Sequence, residues 1–171
     1  ALDDLMCAWC CTQGFLQAKD SSMLPVLCVF DSEEVGSSSV QGAASRLLQT
    51  TVDGICESLQ LNPRKVLSNS FMLSADNAHA VHPNHPEFAD AYNAPVMGDG
   101  VVLKFNANQR YTTDAVSAAV FRKICNKAGV PAQEYSNRPD IRGGSTLGHI
   151  SLTHVSVPTA DVGLPQLAMH S

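Results

Sequence analysis

The stretch that decides the fold runs from residue 101 to residue 135. It reads VVLKF at 101–105, DAVSAAVFRKICNKAG at 114–129 and QEY at 133–135. In the first run, strand alternation places Val102 and Lys104 on one face and three apolar residues on the other. Asp114 is of a type that caps a helix, and Gly129 is of a type that ends one. We therefore predict a strand, a helix through Ala128 and a short second strand.

The same alternation continues on both sides of this stretch. We predict further helices at about 4–18, at 37–61 and from about 145, and further strands at 26–30, 70–75 and 154–160. The run VLCVF at 26–30 is continuously apolar, which is typical of a strand buried on both faces. The first helix is expected to bury one face, formed by Leu5, Trp9, Thr12 and Leu16. Alternating helices and strands predict an α/β fold with a mostly parallel central sheet flanked by helices.

Composition limits the classes of function that the chain can have. Its 171 residues and 18.2 kDa suit one compact domain or part of a larger one. Hydrophobic residues make up 44%, which excludes a disordered tail. A net charge of −5 argues against general nucleic-acid binding, and no apolar run approaches the roughly 20 residues of a membrane span.

The cysteines indicate the cellular compartment of the protein and do not indicate a redox or zinc-binding role. Cys7 and Cys10 have the CxxC spacing of a redox pair or of half a zinc site, but no second pair follows and the neighbours are apolar. Cys28 lies within the apolar run at 26–30, where cysteine behaves as a small hydrophobic residue. This usage favours a reducing compartment, so we predict a cytoplasmic protein.

An acidic segment follows the predicted strand at 26–30. It contains Asp31, Glu33 and Glu34, and three carboxylates within four residues repel one another unless water or a cation neutralises them. A solvated loop is the alternative, but the strand-end position and Gly36 favour a site. One glutamate is then expected to bind a metal while the other transfers protons.

Further residues of the types that bind metal ions also lie at the ends of predicted strands. Asp76 ends the predicted strand at 70–75, and His170 follows the last predicted strand. His79 and His82 have a spacing that suits two metal ligands, although loop histidines more often make ordinary hydrogen bonds. Carboxylates and imidazole together have the character of a hydrolytic zinc site.

Rival catalytic motifs are not supported. The glycine-rich run GGSTLG at 143–148 lacks the spacing and the lysine of a phosphate-binding loop. The sequence contains no GxSxG motif. Every cysteine lies in an apolar setting, which does not suit a cysteine nucleophile.

Six segments occur in order along the chain: LDDL (2–5), DSEEVG (31–36), SADNAHAVHPN (74–84), NANQRY (106–111), GGST (143–146) and PQLAMHS (165–171). Together they resemble the aspartyl aminopeptidase family of dinuclear zinc exopeptidases. The resemblance implies that residues 1–171 form a single partial catalytic domain, its C-terminal half. The dimerisation insertion of the family and the first part of its catalytic domain would then lie upstream of Ala1.

The resemblance also implies roles for individual residues. Asp3 would bridge two zinc ions, Glu34 and His170 would hold one of them, and Asp76 would hold the other. Glu33 would be the general base. The N-terminal ligand histidine of the family is absent from the 171 residues. Asp4 is expected instead to start the first helix, where a carboxylate suits the helix dipole.

The function implied is zinc-dependent hydrolysis of N-terminal Asp or Glu from peptides, by a homo-oligomer that resembles the dodecamer of the family. Lys104, Tyr111 and His79 are expected to bind the substrate. Two alternatives remain open. One is a related zinc exopeptidase or deacylase of other specificity, and the other is an inactive structural or binding fragment.

Overall fold

The computed structural model describes residues 2–19, 22–141 and 143–170. Short 3₁₀ turns lie at Glu33–Val35 and Pro86–Phe88. The helices and strands, in chain order, are α1 (Leu5–Gln17), α2 (Leu47–Ser58), α3 (Pro63–Ser68), β1 (Met72–Ala75), β2 (Ala78–His79), β3 (Val101–Phe105), α4 (Ala115–Ala128), β4 (Ala132–Ser136), α5 (Leu147–Ser151), β5 (Thr159–Gly163) and β6 (Pro165–Gln166).

The central sheet has four strands in the order β1-β5-β3-β4. β1 and β5 are parallel, β3 and β4 are parallel, and β5 and β3 are antiparallel, with Leu103 opposite Val162. β2 and β6 form a second, two-stranded parallel sheet. The predicted α/β class with a mostly parallel sheet is confirmed.

The two faces of β3 belong to two different clusters. Leu103 packs with Phe121 and Cys125 of α4 and with Ala160 and Val162 of β5. Val102 packs on the other face with Ala78, Tyr111 and Tyr135. Successive strand residues point to opposite faces, so α4 covers one side of the sheet while the side chains of Val102 and its partners cover the other.

The stretch from 101 to 136 folds as its sequence predicts. The Asp114 carboxylate accepts the Ser117 N–H at 2.7 Å, and the Ser117 hydroxyl accepts the Asp114 N–H at 2.9 Å. α4 ends at Ala128 and is followed by Gly129, whose φ of 67° is left-handed. Both helix ends therefore follow from local chemistry.

Other expectations were wrong. Residues 26–30 form no strand, and none of their backbone groups bonds to a strand in the described ranges. The predicted buried face of α1 is open, with Leu5, Trp9 and Leu16 each more than 60% exposed, and Cys7 is the residue of α1 that is buried. An apolar pattern states a tendency to be buried but does not supply the surface that covers it.

Helix boundaries also differ from the prediction. The predicted helix at 37–61 begins only at Leu47, because residues 37–46 form compact turns. The Ser45 hydroxyl accepts the Leu47 N–H at 3.1 Å, which competes with helical bonding. β5 begins at Thr159 rather than at residue 154. None of the described helices is long and apolar enough to cross a membrane.

Candidate metal centre and active site

The start of α1 carries two consecutive aspartates. Asp4 occupies the N-cap position, but its side chain makes no capping hydrogen bond. The Asp3 side chain is only 7% exposed. In the described ranges, the Oδ1 atoms of both residues are buried and have no hydrogen-bond partner. A buried carboxylate oxygen without a donor costs free energy, so both atoms fit a bound cation.

The turn at Glu33–Val35 brings two neighbouring glutamates towards these aspartates. Left-handed conformations at Ser32 (φ 64°) and Gly36 (φ 99°) flank the turn. The Gly36 N–H donates to the Glu33 carbonyl at 2.9 Å, which closes it. Because the backbone curls this tightly, Glu34 reaches His170 while Glu33 stays close enough to Asp3 and Asp76 to be repelled by them.

Asn77 connects three segments around the site. Its side-chain amide donates to the Leu2 carbonyl at 3.0 Å and accepts from the Cys7 thiol at 3.2 Å. Its main-chain carbonyl accepts from Lys104 Nζ at 2.6 Å. Asn77 is 1% exposed, and it holds the turn after β1, with Asp76, against the start of α1.

The pairing of β2 with β6 carries the end of the chain to the same place. His79 lies opposite Gln166, and the chain after β6 leads to His170. The His170 Nε2 atom is 3.0 Å from Glu34 Oε1 and 3.3 Å from Asp3 Oδ2.

Two groups of possible metal ligands result, and they share one residue. Asp3, Glu34 and His170 offer ligand atoms that all lie within 4.8 Å of one another. Asp3, Asp4 and Asp76 form a second group by the same measure. The four residues expected to bind metal therefore meet in the folded chain, with Asp3 common to both groups.

The donor set fits zinc. It consists of four carboxylates and one imidazole, and Zn²⁺ accepts both kinds of ligand. Two ions that share the Asp3 carboxylate would also neutralise the mutual repulsion of these acidic groups.

Electrostatics show how strongly negative the site is. Burial, followed by repulsion from Asp76, Glu34 and Asp3, raises the pKa of Glu33 to about 7. Burial likewise raises the pKa of Asp4 to about 6. The pKa of Asp76 is also raised by burial, although the Lys104 charge opposes the shift. A site that favours protonated carboxylates when no cation is present is one that a cation would stabilise.

His79 and His82 do not act as a pair. Desolvation, followed by the Lys104 charge, lowers the pKa of His79, while Asp3 and Asp76 oppose that effect, so His79 lies within electrostatic range of the site. His82 instead accepts the Asn84 N–H at 3.2 Å through Nδ1 and lies beside the His85 ring. In the described ranges, His79 and His82 do not occur together in a ligand group.

Lys104 reaches the site from β3. It is only 2% exposed, and its Nζ atom lies 3.4 Å from Asp76 Oδ2 as well as near the Asn77 carbonyl. The ammonium also lies 5.3 Å from the centre of the Tyr111 ring, within cation–π range. Lys104 and Tyr111 are therefore neighbours next to Asp76.

Asp4 starts α1 at the N-cap position, as expected. Its side chain also lies among Asp3, Asp76 and Cys7, which sequence reasoning did not anticipate. The available signal was the adjacency of two aspartates, because a tight turn can direct neighbouring side chains to one point. All six cysteines are free, Cys7, Cys56 and Cys125 are buried, and burial raises the pKa of the Cys7 thiol, so their structural role stays a prediction.

Known proteins resemble this chain over almost its whole length. Residues 1–171 match the family described as aminopeptidase I zinc metalloprotease (M18). A probable M18 family aminopeptidase 2 of Clostridium novyi (strain NT) is 46% identical over 99% of the chain, which covers 40% of that protein. A probable aspartyl aminopeptidase of Ricinus communis is 38% identical over 99% of the chain and 37% of its own length. The chain thus spans about two fifths of these curated relatives.

Solved structures give the same result. A cryo-EM structure of the Ape4 and Nbr1 complex superposes with a TM-score of 0.91 at 37% identity, covering 99% of the chain and 34% of its counterpart. The structure of the S. cerevisiae mApe1 dodecamer superposes with a TM-score of 0.81 at 28% identity, covering 99% and 39%. The chain belongs to the M18 family of zinc metalloprotease aminopeptidases.

Proposed function

We propose that the protein is an aminopeptidase that removes N-terminal Asp or Glu from peptides and uses two zinc ions. The observation that carries the proposal is the pair of ligand groups that share Asp3, with Glu33 beside them. The 171 residues would form part of one catalytic domain, in keeping with their share of the relatives' length.

Glu33 is suited to move the proton. Two zinc ions in these ligand groups would lower the pKa of a shared water molecule and polarise the peptide carbonyl. The Glu33 carboxylate would accept the proton of the attacking water and deliver it to the leaving amine.

Acidic specificity needs a cation near the first side chain of the substrate. Lys104 supplies one, because two of its contacts, Asn77 O and Asp76 Oδ2, leave a third N–H for a substrate carboxylate. The Tyr111 ring lies against the same ammonium. His79 is close enough to Lys104, Asp3 and Asp76 for their charges to affect its pKa. The name of the Ricinus communis relative also supports an acidic substrate.

The proposal also covers the oligomeric state of the protein and its cellular compartment. The mApe1 dodecamer has the same fold over the length of this chain, which supports a homo-oligomer. Six free cysteines, three of them buried, support a reducing, cytoplasmic setting.

The test uses the full-length protein, its metal content and a panel of aminoacyl substrates. We expect about two zinc ions per active site and a preference for N-terminal Asp and Glu over Ala and Leu. Lys104→Met should lower kcat/KM on the two acidic substrates about 10- to 150-fold. Lys123→Met, on the exposed side of α4, is the matched control and should change neither.

Three results would contradict parts of the proposal. Equal activity on all four substrates points to a related exopeptidase of other specificity. Equal loss on all four in Lys104→Met makes Lys104 a structural residue. A full-length protein without bound metal or turnover indicates an inactive structural or binding protein.

A further inference from the structure

Asp161 is a buried carboxylate that the proposed chemistry does not use. It lies on β5 and is 0% exposed. In the described ranges it forms no ion pair. A buried charge without a cation is costly unless several donors stabilise it.

Hydrogen bonds from two loops supply those donors. Asp161 Oδ2 accepts both the main-chain N–H of Thr112 and its hydroxyl, the hydroxyl at 2.7 Å. Asp161 Oδ1 accepts the Thr146 hydroxyl at 2.6 Å. The Asp161 N–H donates to the Thr113 hydroxyl at 2.9 Å. The carboxylate therefore fastens the loop after β3 and the loop before α5 to the middle of the sheet.

The first of these loops carries Tyr111. Thr112 is the next residue in the chain, so two hydrogen bonds to one carboxylate oxygen fix the backbone where the Tyr111 side chain begins. Tyr111 is 6% exposed. The centre of its ring lies 5.3 Å from Lys104 Nζ and 6.1 Å from the centre of the Tyr135 ring.

We propose that Asp161 is a positioning residue that, through Thr112, holds Tyr111 against the Lys104 ammonium and so maintains the pocket for the acidic side chain of the substrate. The inference rests on the proposed function of Lys104 and Tyr111. Asp161 itself lies beneath the loop and acts only through Thr112.

The two oxygens of Asp161 provide a matched pair of variants. Thr112→Val removes a hydroxyl bond to Oδ2, on the Tyr111 side. Thr146→Val removes a hydroxyl bond to Oδ1, on the other loop, and leaves both Thr112 bonds in place. Each substitution keeps the side-chain shape and deletes one buried hydrogen bond to the same carboxylate, so their effects on stability should be similar.

The experiment compares Thr112→Val, Thr112→Ser and Thr146→Val in the full-length enzyme, with N-terminal Asp and Leu substrates. We expect Thr112→Val to lower the Asp-over-Leu ratio of kcat/KM roughly tenfold, mainly through KM, because binding of the acidic side chain is weakened. Thr112→Ser keeps the hydroxyl and should restore the ratio. Thr146→Val should leave the ratio within about threefold of the parent value.

Hydrogen exchange gives a readout that does not depend on activity. Thr112→Val should speed amide exchange in residues 106–116, and Thr146→Val should speed it in residues 143–151. An unchanged ratio in Thr112→Val, an equal change in Thr146→Val, or unchanged exchange in residues 106–116 would each overturn the role of Asp161.

Lys104→Met, measured alongside, separates this inference from the proposed function. If Lys104→Met loses acidic preference and Thr112→Val does not, only the role of Asp161 is overturned. If Lys104→Met keeps its acidic preference, the pocket is assigned wrongly and both proposals are overturned.

Discussion

Asp3 and His170 come from opposite ends of the chain, and the Nε2 atom of His170 lies 3.3 Å from Asp3 Oδ2. The contact depends on two connections made elsewhere. Asn77 holds the segment before α1, and the β2–β6 pairing directs the chain towards His170. The proposed metal binding at this pair would therefore depend on contacts between distant segments of the chain, not on one local motif.

Glu33→Gln should separate metal binding from turnover. The amide keeps the shape of the side chain but cannot accept a proton from water, so we expect kcat to fall about 10²- to 10⁴-fold while the zinc content stays unchanged. Glu34→Gln is the matched control, because it should lower zinc content as well as kcat. Near-normal kcat in Glu33→Gln would show that another group is the base.

Asp4→Asn should weaken metal binding, because Asp4 offers a buried, unpaired oxygen to the group with Asp3 and Asp76. We expect the zinc affinity of one site to fall by roughly 10- to 100-fold, measured by competition with a chelator. Asp114→Asn is the control, since Asp114 caps α4 and asparagine also caps helices. Unchanged zinc affinity in Asp4→Asn would return Asp4 to its predicted role at the helix start.

Removing the metal should make stability depend on pH in an unusual direction. The pKa values of Glu33 and Asp4, about 7 and about 6, are higher in the fold than in the unfolded chain. At these two residues the folded state therefore holds more protons than the unfolded chain, so they make the free energy of unfolding fall as pH rises from about 5 to about 7. His79, whose pKa is lowered, acts in the opposite direction over part of this window. Carboxylates with lowered pKa, such as Asp114, complete their contribution below this window.

Denaturant unfolding of the chelated full-length protein at several pH values measures this slope. Glu33→Gln should flatten it, because one of the titrating groups is gone. Saturating zinc should abolish it. Stability that rises across the same window would contradict the raised pKa values of Glu33 and Asp4.

Gly148→Ala should destabilise the fold. A Cβ at Gly148 would lie 2.7 Å from Asp161 Oδ1 and 2.8 Å from the Ser74 side chain, both of which are buried. We expect a loss of about 1–3 kcal/mol in the free energy of unfolding. Gly14→Ala in α1 is the control, since nothing lies within 4 Å of that position, and alanine there should stabilise the helix by about 1 kcal/mol. Equal stability of the two variants would show that α5 can move away from β5.

Local chemistry made part of the fold predictable. α4 and β3 follow from residues that act within their own segments, namely the Asp114 cap, Gly129 and the alternation of β3. Residues 26–30 and the open face of α1 were misjudged because burial depends on which surface arrives from elsewhere. α3 was missed although Asn62 caps it and Pro63 begins it, which is a signal that the sequence does contain.

The candidate site was likewise predictable only where the signal is local to a segment. Glu33, Glu34, Asp76 and His170 were predicted as site residues from their positions at the ends of apolar runs and from the family resemblance. Strand alternation gave the face of Lys104, but it could not show that the ammonium extends to the Asn77 carbonyl, because that contact depends on how the turn after β1 folds back. Asp161 was missed because a single aspartate in an apolar strand carries no pattern.

The three hydrogen bonds of Asn77 have a consequence for the order of events when metal arrives. They join the start of α1, the turn after β1 and the Lys104 side chain through protein groups alone. Asp3 and Asp76 are therefore preorganised, and the entropy of bringing them together is lost during folding rather than at binding. Asn77→Ala should consequently slow the association of zinc with the folded apoprotein, because the ligands would have to find one another after the ion enters.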